Sequence, residues 1–149
     1  MLRIALFLAL AITWGGSVQA QETLVPLDPW VRQVHQQLWM YRTALDLTDL
    51  SHNIVTGSLD DGDSETVQAE LEGGSSYAIL AVCDNDCSDI DLRIRSRSSG
   101  VLDEDIELDD FPVVQVSVAG EGAMNFQVEV IMASCSASPC RYGVAVFEQ

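Results

Sequence analysis

The chain has 149 residues and a formal net charge of −16, with seven arginines, no lysine and 23 acids. Such a field repels phosphate backbones and anionic lipid, so nucleic acid and membrane surfaces are excluded as partners, while cations are attracted. The length allows one domain with a sizeable core.

Residues 1–20, MLRIALFLALAITWGGSVQA, read as a secretory signal peptide. Arg3 supplies the positive start, Ile4 to Ile12 is an apolar run too short to span a bilayer, and Val18-Gln19-Ala20 fits a cleavage site. Cleavage leaves Gln21 as the new N-terminus, removes one arginine and takes the charge to −17. The expected address is periplasmic or secreted, with no membrane attachment after cleavage.

Residues 21–51 form an N-terminal helical segment. Asp28-Pro29 is a helix start, a capping acid followed by proline at the first helical position. Val31, Val34, Leu38, Tyr41 and Leu45 then recur at helical spacing, giving one apolar stripe of about four turns. That stripe either packs on the chain's own domain or pairs with a second copy, making helix 29–45 a homo-oligomer contact.

From His52 the period switches to two, and residues 52–149 read as a β-sandwich domain. Strands are expected at Asn53–Leu59, Glu65–Leu71, Tyr77–Cys83, Ile90–Ser96, Val101–Leu108, Val113–Val118, Phe126–Met132 and Tyr142–Phe147. Tyr77–Cys83 is apolar on both faces, as a central strand would be, and acids interrupt Val101–Leu108. About eight short strands with glycine-rich turns predict an all-β fold, an antiparallel sandwich or jelly roll preceded by one amphipathic helix.

The most distinctive stretch is CDNDCSDIDLRIRS, Cys83 to Ser96. An EF-hand loop starting at Asp84 requires glycine at its sixth position and glutamate at its twelfth, where Asp89 and Arg95 stand. Cys83-x₃-Cys87 is one residue too long for a thioredoxin-like motif. With Cys135-x₄-Cys140 it could make a four-cysteine zinc site, but an exported chain favours disulfides. The local pairs Cys83–Cys87 and Cys135–Cys140 are preferred, and pairing the first cluster with the second remains open. On this basis 84–89 is a stapled turn whose aspartates serve turn geometry. If 98–100 is the next hairpin loop, Arg95 lies opposite Asp103 and Arg93 opposite Asp105. The competing assignment is a calcium site drawn from Asp84, Asp86, Asp89, Asp91, Asp109 and Asp110, with calcium as the cofactor to look for.

The series GGSSYAILAVCDNDCSDIDLRIRSRSSGVLDED, FPVVQV and NFQVEVIMASCSASPCRYGVAVF resembles the bacterial pre-peptidase C-terminal domain family. That family has a G-x-x-Y strand, a D-x-D-L strand, a glycine hairpin and a late Y-x-V-x-V strand. Tyr77, Asp89 to Leu92, Gly100 and Phe126 to Val130 occupy those places, with Phe126 where tyrosine is usual. The resemblance covers residues 55–147 and the cysteine pairs look like those of small stand-alone secreted members. It implies a non-catalytic sandwich; such domains accompany secreted peptidases, and some relatives bind calcium and extracellular protein.

An enzyme would need a nucleophile or base in context. G-x-S-x-G is absent, Ser75 and Ser76 sit in a turn, and the two histidines, His35 and His52, lie on the helix and at the start of the sandwich. Oxidised cysteines offer no thiolate. The expectation is a non-enzyme that binds an extracytoplasmic protein or polysaccharide, or a calcium-dependent structural module.

Overall fold

The computed structural model describes residues 28–47 and 49–149, so the leader expected at 1–20 lies outside the described residues. Helix α1 spans Pro29–Ala44, and the Asp28 carboxylate accepts the Trp30 N–H at 2.9 Å. The proline has no N–H to leave unsatisfied, and the aspartate caps the next donor, as the sequence leads one to expect.

Among the described residues nine strands follow: β1 (Asp49–Leu50), β2 (Val55–Leu59), β3 (Ser64–Glu72), β4 (Ser76–Cys83), β5 (Cys87–Ser96), β6 (Gly100–Asp105), β7 (Val113–Ser117), β8 (Ala123–Cys135) and β9 (Cys140–Glu148). They form two antiparallel sheets. One has the order β1-β9-β4-β7, with β2 on the same edge of β9, and the other the order β3-β8-β5-β6. This is the all-β sandwich that the alternation predicts. Two-residue β1 carries too little pattern to be read, and it lies within the segment assigned to the helix.

The core lies between the sheets. Tyr77, Ile79, Ala81, Val114, Tyr142, Val144 and Val146 of one meet Ile90, Leu92, Ile94, Val128, Val130 and Met132 of the other. The outer face of the first sheet is also apolar, because α1 covers it. Val34 and Leu38 pack with Leu47 against Ala78, Leu80, Val82, Ala145 and Phe147. Tyr77–Cys83 therefore reads as apolar on both faces for two reasons, a facing sheet and a covering helix. A Cβ on Gly143 would stand 2.2 Å from Val34 Cγ1, so glycine is what lets the helix approach β9.

This packing is the first of the two alternatives for the helix stripe, in which it covers the chain's own domain. The stripe of Val34 and Leu38 is covered by the domain's own sheet and is not available to a second copy. Trp30, Trp39 and Met40 are large apolar side chains that the helix leaves exposed.

The β5–β6 hairpin departs from its expected register. Ser96 pairs with Gly100, and a bulge then places Ile94 opposite Asp103, Arg93 opposite Glu104 and Leu92 opposite Asp105. Arg95 and Arg93 thus do not face Asp103 and Asp105. Arg93 binds Glu104 at 2.9 Å, and Arg95 binds Glu129 of β8 at 2.9 Å. A shift of one residue moves every side chain to the other face. Asp103 and Asp105 consequently share the inward face with Ile94 and Leu92.

Candidate functional site

The chemistry-bearing residues gather at one end of the sandwich, where the loop 84–86, the start of β5, the crossover 106–112 and α1 meet. Cys83 is bonded to Cys87 and Cys135 to Cys140, the local pairing. Cys87 and Cys135 are themselves opposite one another in the β5–β8 ladder. The two stapled loops are also tied, since the Asp86 carbonyl accepts both the Ser136 N–H at 2.8 Å and its hydroxyl at 2.7 Å.

The six aspartates considered as calcium ligands divide into separate jobs. Asp84 is only 2% exposed; one carboxylate oxygen accepts the Arg141 N–H at 2.8 Å and its own N–H donates to the Arg141 carbonyl. It clamps the stapled loop to β9. Asp86 serves through its carbonyl. Asp110 lies near the Tyr41 hydroxyl, and burial together with the charges of Asp110 and Asp109 pushes that phenol's pKa up.

Asp89, Asp91 and Asp109 do come together, joined by Asp105. The Ile90 N–H donates to the Asp109 carbonyl at 3.0 Å, fastening the crossover to β5. Burial and then the Asp109 charge raise the pKa of Asp89, with the Asp109 backbone opposing. Burial, then Asp89, with further contributions from Asp105 and Asp109, raise that of Asp91, and Arg93 opposes. One Asp89 oxygen is buried without a partner. Among the described residues, however, no group of three or more His, Cys, Asp or Glu side chains is arranged to hold a metal ion.

The crossover itself carries the feature that sequence reasoning passed over. Leu108 is 90% exposed, Ile106 is 53% exposed, and Phe111 is also partly open to solvent. The loop is nonetheless held firmly. Asp105 Oδ1 accepts the Glu107 N–H, Asp109 Oδ1 accepts the Phe111 N–H, and the Pro112 carbonyl accepts the Ala81 N–H. Phe111 stacks on Tyr41 of α1 with ring centroids 4.4 Å apart and planes 14° apart. Glu104, Glu107, Asp109 and Asp110 surround these apolar groups along the chain. The available signal was the sequence itself: Ile106 and Leu108 continue the alternation of Val101–Leu108 past the point where pairing ends at Asp105.

The chain is a helix-covered antiparallel β-sandwich with an acid-rimmed apolar loop at one end.

No protein-family model matches the chain, and no curated protein matches it. One solved structure it is similar to is a periplasmic inhibitor of g-type lysozyme from Aeromonas hydrophila. That protein is 13% identical, the match covers 64% of this chain and 84% of that one, and the TM-score is 0.40.

Proposed function

We propose that the chain is a non-catalytic periplasmic or secreted module that binds another protein through the crossover loop 106–111. The observation that carries this reading is the exposure of Ile106 and Leu108 on a loop pinned by hydrogen bonds and by the Tyr41–Phe111 stack. Rigid apolar groups held in water are the kind of feature a partner covers, at little ordering cost on binding. The acids around them favour a cationic partner surface with an apolar pocket, because complementary charge speeds encounter and rejects acidic competitors. The leader-like residues 1–20 and the two disulfides support the extracytoplasmic address. The reading agrees with the non-catalytic sandwich implied by the resemblance to pre-peptidase C-terminal domains.

The test is co-purification from the exporting cell. Wild-type protein should retain one stoichiometric partner, released by salt, and a folded Ile106→Glu/Leu108→Glu variant should not. Equal retention by both, or by neither, overturns the reading.

A calcium-dependent module is the second reading. In its favour is the buried, partnerless oxygen of Asp89 beside Asp109. Calcium needs six to eight oxygen ligands. Calcium binding should raise the melting temperature saturably at constant ionic strength, and Asp89→Asn/Asp109→Asn should abolish that gain. A melting temperature indifferent to calcium and chelator removes this reading and leaves the first untouched.

A further inference from the structure

Strand β3 is an edge of the sheet β3-β8-β5-β6, and it is nine residues long. Exposed edges are commonly kept short, because they present unpaired N–H and C=O groups. Only alternate residues of an antiparallel strand bond to a given neighbour, and the others turn their backbone groups outward. The far end of β3 identifies its outward set. His52 Nε2–H donates to the Glu70 carbonyl at 2.8 Å, and the Glu72 N–H donates to the Tyr77 hydroxyl at 3.0 Å. Thr66 and Gln68 belong to the same alternation and are exposed. Among the described residues nothing bonds their outward N–H and C=O groups. At the opposite flank of the sandwich, side chains of β6 take the outward N–H groups of β7.

We infer that this edge binds an extended segment of another protein, laid along Thr66 and Gln68 as an added strand, in which apolar residues alternate with basic ones. A row of open donors and acceptors is what an extended backbone pairs with. The alternation follows from what lies on either side of the edge. On the inner side is a cleft of about 230 Å³, lined by five valines and Ala69, with His52, Asn53 and Gln68 as its polar members. Val67 and Ala69 of β3 belong to that lining. Residues opposite them in an added strand share their face, so apolar side chains there enter the cleft.

The outer side sets the charge. Residues 60–72 contain six acids and no base. Asp61 and Glu65 are engaged with the Cys135 N–H and the Tyr142 hydroxyl, while Asp60, Asp63, Glu70 and Glu72 are exposed. Basic side chains opposite Thr66, Gln68 and Glu70 meet these acids, whereas a second copy of the chain brings the same acids and is repelled. The inference does not rest on the reading of the loop 106–111, which lies elsewhere on the molecule.

The probe is a capped heptapeptide alternating lysine with valine. At saturation it should slow amide exchange at Thr66 and Gln68 and leave that of Val67, already bonded to β8, unchanged. Methylating its lysine nitrogens removes the donors that face β3 and should weaken binding by about fivefold or more. Gln68→Pro removes one outward N–H without touching the β8 ladder, and should weaken binding likewise. A glutamate–valine peptide should not bind. The Ile106→Glu/Leu108→Glu variant should bind the lysine–valine peptide as the wild type does. Unaltered exchange at Thr66 and Gln68, equal affinity for the methylated or the acidic peptide, or binding lost with Ile106→Glu/Leu108→Glu would each overturn the inference. Should Gln68→Pro fail to fold, the methylated peptide on the wild type still decides.

Discussion

Asp103 of β6 accepts the backbone N–H of Gln115 in β7 at 2.7 Å, a bond from the edge of one sheet to the edge of the other. Asp105 repeats it with Val113 at 2.9 Å. These donors point away from β4, the ladder partner of β7. Two inward-facing carboxylates thus cap an edge that would otherwise offer its donors to any passing strand.

Removing both caps should therefore do two things. Asp103→Ala/Asp105→Ala should lower stability by about 2–3 kcal/mol in urea unfolding, since each variant loses a charged acceptor that is partly exposed. It should also self-associate with concentration in sedimentation, because the β7 edge is opened. The Asn variants keep an acceptor and should lose less. An unchanged urea midpoint in the double Ala variant would contradict the capping role.

Gly143→Ala should cost about 1–3 kcal/mol, as overpacking against Val34 Cγ1 pushes α1 off the sheet. Val34→Ala makes room, so the double variant should lose less than the sum of the two single losses. Strict additivity in the double-mutant cycle would show that the two sites do not touch.

The acids behind the crossover should leave a pH signature. Asp89 and Asp91 both hold protons more tightly in the fold than in the unfolded chain. The native state therefore binds more protons as pH rises through their titration, and stability falls across that window. At neutral pH the penalty of ionising them is fully present; well below the ordinary carboxylate range it is absent. Asp89→Asn/Asp91→Asn should accordingly melt higher than wild type at pH 7, with the advantage shrinking as pH falls toward about 4 and absent well below it. A constant or growing advantage toward acid would refute the assignment.

The Arg93–Glu104 and Arg95–Glu129 pairs are partly exposed. A double-mutant cycle on Arg95→Gln and Glu129→Gln should give a coupling of less than about 1 kcal/mol, reduced further by salt. A larger value that survives high salt would mean that the pair is effectively buried.

The helix and the alternating strands were legible because each buries one regular stripe against a partner within the chain. The hairpin register was not. Asp103, Glu104 and Asp105 are consecutive, so every nearby register places some acid opposite Arg93, and charge pairing alone cannot select among them. A bulge near Arg95 selects, and it turns Asp103 and Asp105 from ion-pair partners into caps for β7. The candidate site was half legible. The approach of Asp109 to the 84–91 loop follows from the chain's turns, and the structure brings Asp89, Asp91 and Asp109 together. Asp84 looked like its neighbours in sequence, yet contact with Arg141 at the end of β9 makes it a buried clamp. Nothing local to Asp84 encodes that contact.

The placing of Cys87 opposite Cys135 in the finished ladder has a consequence for the reduced chain. Once the strands pair, each cysteine of that couple has two sulfurs within its neighbourhood, and the ladder no longer dictates which one it takes. Order of events does. Closing the short loop between Cys83 and Cys87 is less costly than closing the 48-residue span to Cys135 by about 2 kcal/mol of chain entropy. An unpaired chain meeting an oxidant thus makes its local bridges first, and arrives at the ladder with the choice already taken.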